Sequence, residues 1–242
     1  MKKLLFICSF LFTLITSCTS QNTQNKGISA TEQLGVSAVS QFLGTVVRYE
    51  KPCKNASEAE AAHCFQLVAD SLDSSLNPWR NQPVMLASNA AVLFYLNLTI
   101  KERQSLTQIN IVIPNESNVR YAYAVSTGML DTLTGKIPLI ERAIDCIKSK
   151  DYRTLLAMFN RPVAPAFQEK FIKDMEGFEA HYGTVTDHSP LGFKSYFLTG
   201  QPQFGRFYTI LVANKQNIEF SIDFSLDPAV QKLSEFRFSH KF

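Results

Sequence analysis

Apolar positions recur along this chain with periods that change from block to block, and each period predicts an element. From Ser29 to Tyr49 the period is helical, with Leu34, Ala38, Phe42, Leu43 and Val46 on one face. Pro52 predicts its end. Ser57, with Glu60 three residues on, has the form of a capping box. It predicts a second helix whose face is Ala61, Phe65, Val68, Leu72 and Leu76. The two helices would form an antiparallel hairpin. Residues 77–83, NPWRNQP, break it with two prolines. Three runs beyond read as strands: Val84–Thr99 with an interruption near Asn89, Leu106–Pro114, and Val119–Ser126. Residues 114–118, PNESN, read as a hairpin connection between the last two.

Met129–Lys136, with Gly128 and Gly135 at its edges, reads as a linker. A second helical block begins at Ile137, with Ile137, Ile140, Ile144 and Ile147 on its face. Asp151 is placed to cap a short helix carrying Tyr152, Leu155, Leu156 and Phe159, which Pro162 stops. Pro165 suits a first helical turn, and Pro165–Tyr182 carries a stripe of Phe167, Phe171, Met175, Phe178 and Tyr182. Gly183 predicts a left-handed C-cap. Strands follow at Phe193–Thr199, Arg206–Ala213, Ile218–Ser225 and Leu233–Ser239, the last with Phe236 and Phe238 inward. In Ile218–Ser225 the apolar residues alternate with Glu219, Ser221, Asp223 and Ser225, which predicts one wet face. The pattern gives an α+β protein of helices followed by curled antiparallel sheet. Its units are an N-terminal one over 29–128 and a C-terminal one over 129–242.

Composition supports a packed core, with 45% hydrophobic residues, 19 Phe and 8 Tyr. Charge excludes one class of partner: a net +3 is too balanced for a nucleic-acid binder. Met1-Lys2-Lys3 leads into the apolar run Leu4–Ile15, which is short of the roughly 20 residues of a membrane-spanning helix. Its length and flanks fit a signal peptide over 1–17. Ile15-Thr16-Ser17-Cys18 resembles the bacterial lipobox. That resemblance implies that Cys18 becomes an acylated N-terminus. It also implies an outer-membrane lipoprotein facing the periplasm or the surface, because Thr19 and not Asp follows the cysteine. Two or more acyl chains anchor stably, at about 0.8 kcal/mol per buried CH₂. Thr19–Lys26, within the polar stretch that runs to residue 28, reads as a flexible tether. With Cys8 in the signal and Cys18 acylated, Cys53, Cys64 and Cys146 remain. Export permits a Cys53–Cys64 disulfide across a short turn, worth roughly 3 kcal/mol, with Cys146 a buried inert thiol. The alternative keeps all three reduced in the core.

The order of helices first and then a meander, with the Phe-striped helix ending in FEAHYG at 178–183, resembles a known family. It is similar to the cystatin-like α+β cone of the nuclear-transport-factor-two-like superfamily, over Gly135–Phe242. The N-terminal half repeats helices then strands, which predicts a divergent tandem of cystatin-like units; the alternative is one sheet shared by both halves. The resemblance implies a fold that hosts enzymes and ligand binders alike. Isomerase members use a carboxylate base inside the cone, but alternation sends Glu219 and Asp223 to the solvent face. Tyr182, Tyr196 and Tyr208 are candidates for a pocket mouth, against a bland role as core tyrosines. Trp79 beside Arg80 is a candidate hot spot for a partner or ligand, against a bland role as a plug over the helix hairpin. His63, His181, His188 and His240 lack the spacing of a zinc site, and surface or capping roles are expected of them. No cofactor motif is present. The expectation is a membrane-anchored binding or scaffold module for a small ligand or an envelope protein, without cofactor, metal or nucleic acid. The alternatives are an isomerase or hydrolase with a cone-type pocket, and an immunity or inhibitor protein.

Overall fold

A computed structural model describes residues 27–50, 53, 63–115, 117–160, 164–196 and 203–239. The signal segment, Cys18, the tether, Pro52, the Ser57 cap, Pro162 and His240 lie outside the described residues. The N-terminal half holds α1 (Ala30–Leu43), β1 (Val47–Glu50), β2 (Cys64–Ala69), a 3-10 turn (Ser74–Trp79), α2 (Pro83–Asn97), α3 (Ile100–Ser105), β3 (Gln108–Pro114) and β4 (Arg120–Ser126). The C-terminal half holds α4 (Thr127–Lys148), α5 (Tyr152–Ala157), α6 (Pro165–Tyr182), β5 (Val185–Tyr196), β6 (Phe204–Ala213), β7 (Ile218–Ser225) and β8 (Leu233–Ser239). The protein is α+β, with one four-stranded sheet in each half: β1-β2-β3-β4 and β5-β6-β7-β8. The second sheet is an antiparallel meander. In the first, β2 and β3 run parallel.

Several elements form as the pattern predicts. The α6 helix, β7 and β8 match their expected spans, and β3 and β4 form the antiparallel hairpin. The Asp151 carboxylate accepts from Thr154 N to start α5. Cys53 and Cys64 form a disulfide, and Cys146 is a buried free thiol whose pKa burial pushes up.

Other elements differ, each for a physical reason. The first helix ends at Leu43, not Tyr49, because Gly44 takes the left-handed conformation (φ 62°) and Thr45 N bonds back to Ser40 O. Its buried face is Gly35, Val39 and Leu43, while Leu34 and Val46 are exposed. Gly35 sets that face by admitting α2: a Cβ there would stand 2.6 Å from Phe94 Cδ2. Phe65 and Val68 lie on strand β2 rather than on a helix. Every residue of β2 is buried, between β1 and β3, and such a strand shows no alternation to distinguish it from a helix. The N-terminal half therefore does not repeat the order of helices then strands.

The expected strand Val84–Thr99 is instead helix α2 as far as Asn97, with Leu98 its C-cap and Thr99 the cap of α3. Pro83 occupies the first turn of α2, and the helix is buried on nearly all sides, against α1, β3, β4, α4 and β5. A helix apolar all round leaves no 3.6-residue period to read. Asn89, the expected interruption, is a clamp: its Nδ2 donates to Pro190 O at 3.2 Å. Ser88 beside it donates to Phe193 O (2.8 Å) and accepts from Phe193 N (2.7 Å). These bonds hold β5 at a register shift between Pro190 and Gly192. Gly192 (φ 138°) is required there, since a Cβ would stand 2.0 Å from Met85 O.

Met129–Lys136 is not a linker but the first turns of α4, capped by Ser126 accepting from Met129 N. Gly128 and Gly135 meet nothing within 4 Å and sit in the helix without a packing role. Leu130, Leu133 and Lys136 are buried. Lys136 Nζ donates to Asp227 O (2.8 Å) and Val230 O (2.7 Å), tying the β7–β8 connection to α4; burial lowers its pKa. The halves thus share one continuous core. Gly183 ends α6 at φ 90°, ψ −179°, outside the left-handed helical region that its sequence position suggested.

The described chain begins against a second helix terminus. Ser29 caps α1 and Thr99 caps α3, each in a box with its own glutamate. Glu102 also accepts from Thr31 Oγ1 at 2.8 Å and from Ser29 Oγ, so one carboxylate joins both N-termini. Burial works against its charge, but the bonds from Ser29, Thr99 and Thr31 outweigh it and hold its pKa at about 2. A depressed carboxylate contributes stability above its unfolded pKa and loses it as pH falls through the folded value. Wild-type Tm is therefore expected to fall between about pH 4.5 and pH 2, with Glu102→Gln lower at neutral pH and less acid-dependent. Thermal melts across that range check it; equal acid slopes contradict it.

Candidate functional site

One face of the second sheet is covered by rings. Phe178 of α6 stacks on Phe238 at 4.1 Å between centroids, and Phe238 on Phe220 at 5.0 Å. Phe159 and Phe171 close on Phe236 at 5.5 and 5.6 Å. The meander supplies this layer because Phe220, Phe236 and Phe238 share one face by strand alternation. Of the predicted α6 stripe, Phe167 stays exposed and the rest joins the core.

The opposite face of that sheet is not wet as the alternation suggested. Asp223 is 3% exposed, and Ser221 and Ser225 are also buried. The strand β7 lies between β6 and β8, and long side chains from its neighbours reach over it. Arg206 of β6 grips Asp223 through Nε (2.5 Å) and Nη2 (2.6 Å), and the Tyr196 hydroxyl donates to the same carboxylate at 2.6 Å. The Arg206 guanidinium lies 5.3 Å from the Tyr196 ring centroid. Lys194 lies over Tyr208 at 5.3 Å and donates to Gln82 Oε1 of the N-terminal half at 2.5 Å. Burial and the Asp223 charge push the Tyr196 hydroxyl up to about 12. The Asp223 carboxylate raises the pKa of Arg206 further above its ordinary value. The structure therefore brings Tyr196 and Tyr208 together around Arg206. The cluster is closed on itself: its carboxylate is fully engaged, so it offers a rigid polar platform rather than a free base.

The other candidate residues lie apart from this cluster. Trp79 is 6% exposed and belongs to the core, so it does not present an exposed ring, and the helix hairpin it was expected to cover is not formed. Arg80 beside it donates to Leu72 O. Tyr182 is buried at the end of α6, its ring 4.8 Å from Phe178. His188 is not a surface residue: its side chain is 13% exposed, between β5 and α4. Its Nε2 is 3.2 Å from Glu141 Oε1, placed for an ion pair but off the line of a hydrogen bond. His181 is exposed, edge-on to Tyr182, and His63 Nδ1 lies 3.0 Å from Ser105 O.

A site that single residues did not announce lies between α5 and α6. An open groove of about 380 Å³ is lined by Lys150, Asp151, Tyr152, Arg153, Ile172, Glu176 and Glu179. A small recess continues from it toward Ile147, Phe178 and Val185. The turn that shapes its rim is tight. Lys150 takes φ 60°, and Asp151 N reaches back to Cys146 O at 2.9 Å. Lys150 pairs with Glu179 at 2.5 Å, and Thr184 Oγ1 donates to Glu179 at 2.8 Å; these bonds hold the Glu179 carboxyl below its ordinary pKa. Burial first, and then the charges of Glu179 and Glu176, push the Tyr152 phenol up. Arg153 and Glu176 remain exposed and hold no ion pair among the described residues. The groove thus offers an apolar floor of Tyr152 and Ile172 with one unengaged charge of each sign. Such a lining can seat a small molecule and orient it.

No group of three or more His, Cys, Asp or Glu among the described residues could hold a metal ion, and no described helix is long and apolar enough to cross a membrane. No family model, curated protein or solved structure matches the chain.

Proposed function

We propose that this protein is a binding module held at a bacterial outer membrane through acylated Cys18, and that it takes a small ligand carrying charges of both signs. The observation that carries the ligand reading is the groove between α5 and α6, with Arg153 and Glu176 both unengaged on its lining. Free amino acids and short peptides have that chemistry. The anchor reading rests on Lys2-Lys3, the apolar run Leu4–Ile15 and the Ile15–Cys18 motif. The Cys53–Cys64 disulfide supports it independently, because such bonds persist in oxidising compartments. The C-terminal half is proposed as a cystatin-like unit, on the strength of its three helices followed by an antiparallel meander. A divergent second unit in the N-terminal half has a four-stranded sheet in its favour and its interleaved element order against it. The enzyme reading is the weaker alternative, since rings occupy the face on which a cone-type catalytic pocket would open.

Mass spectrometry of the protein extracted from membranes is expected to find acylated Cys18 at the N-terminus; an unmodified terminus at another residue contradicts the anchor. For the ligand, calorimetry against amino acids and dipeptides is expected to find at least one binder. Arg153→Ala and Glu176→Ala, both surface changes, are expected to weaken it at least about tenfold, or 1.4 kcal/mol each, with Tm nearly unchanged. No binder in the panel, or wild-type affinity in both variants, contradicts the reading.

A further inference from the structure

We propose that two copies of this chain pair through the free edge of β4, joining their N-terminal sheets into one continuous antiparallel sheet. The β4 strand ends the order β1-β2-β3-β4; Arg120–Ala122 are exposed, and from Ala122 on exposed and half-buried residues alternate. Among the described residues, no backbone bond joins Tyr121–Val125 to any element but β3. An exposed edge of this kind is a template for another strand, and proteins usually blunt it with charges, bulges, proline or shortness.

The other three edges carry such devices. The β1 strand is four residues long and carries Arg48 and Glu50. The β5 strand has two register shifts and Pro190, and α2 packs against it. The β8 strand carries Glu235 and Arg237. The β4 sequence, RYAYAVS, has neither bulge nor proline. Its one charge, Arg120, lies at the end of the strand, 3.1 Å from Asp70, which also pairs with Arg48 at 2.7 Å.

The bonding pattern shows which groups are free. Asn115 N donates to Val119 O, and Thr127 N donates to Thr107 O. Odd-numbered residues of β4 therefore bond to β3, in the register Ile111 opposite Tyr123. The N–H and C=O of Ala122 and Ala124 point outward. A two-fold axis at Tyr123 uses them fully: Ala122 of one copy exchanges both backbone bonds with Ala124 of the other. In that register Tyr121 meets Val125, Tyr123 meets Tyr123, and Arg120 meets Ser126. Aromatic and β-branched pairs are the favoured cross-strand neighbours, and no like charges oppose. Tyr123 and Val125 already pack against the core, so pairing extends that core across the axis. This self-complementarity selects a second copy over an unrelated strand.

The test uses the full chain extracted in mild detergent. It is expected to sediment as a dimer that dissociates on dilution. Ala124→Pro removes an outward N–H and no bond to β3, and proline is tolerated at such edge positions. This variant is expected to sediment as a monomer at the same concentration with Tm nearly unchanged. Tyr123→Cys is expected to cross-link to itself on oxidation, because a non-hydrogen-bonded pair spans about 4.5 Å between Cα atoms, within disulfide reach. Three results would each overturn the proposal: a wild-type monomer at every concentration, a dimer that survives Ala124→Pro, or no Tyr123→Cys cross-link. So would a monomer whose Ala122 and Ala124 amides resist hydrogen exchange, since another segment of the chain would then hold the edge.

Discussion

The helix α2 is buried on nearly all sides, and both halves of the protein are built around it. It packs under β3 and β4, beside α1 and α4, and against β5 of the second sheet. An apolar surface of that extent has to be enclosed, and no single sheet can enclose it. The close approach of β5 depends on Gly192, which leaves room for the Met85 carbonyl, and on Ser88 and Asn89, which satisfy the backbone of a strand out of register. A buried backbone group left without such a partner costs about 1–3 kcal/mol. The seam is therefore specified by two polar side chains and one glycine rather than by a linker.

From that seam the position of the groove follows. Continuity of α4 from the end of β4 fixes the second set of helices relative to the first sheet. Its far end turns at Lys150 into α5, and α6 then returns along the sheet, which opens the groove at their junction. The Phe layer seats α6 on one face of the second sheet.

The parts legible in the sequence were those whose apolar residues line one face. Pro165–Tyr182, Ile218–Ser225 and the β3–β4 hairpin each show a clean period, and Asp151 and Gly183 mark chain reversals that occur. Elements apolar on both faces were not legible. The β2 strand and α2 are apolar throughout, and their periods vanish for that reason. Gly128, Gly135 and the threonines of α4 imitate a linker because its outer face packs on nothing. Asp223 was misread as solvent-facing because alternation reports the face of a residue but not what a neighbouring Arg206 and Tyr196 can cover. The groove was missed for a related cause: Ile172, Glu176 and Glu179 lie on one side of α6, but only the docking of α5 makes that side a site.

The account holds that α2 makes one cooperative unit of two sheets. Native-state hydrogen exchange measures this directly, strand by strand. The most protected amides of β2–β3 and of β6–β7 are expected to open with the same free energy. Ser88→Ala is expected to lower both together by about 1–3 kcal/mol. Distinct opening energies for the two sheets, with Ser88→Ala lowering only one of them, would contradict it.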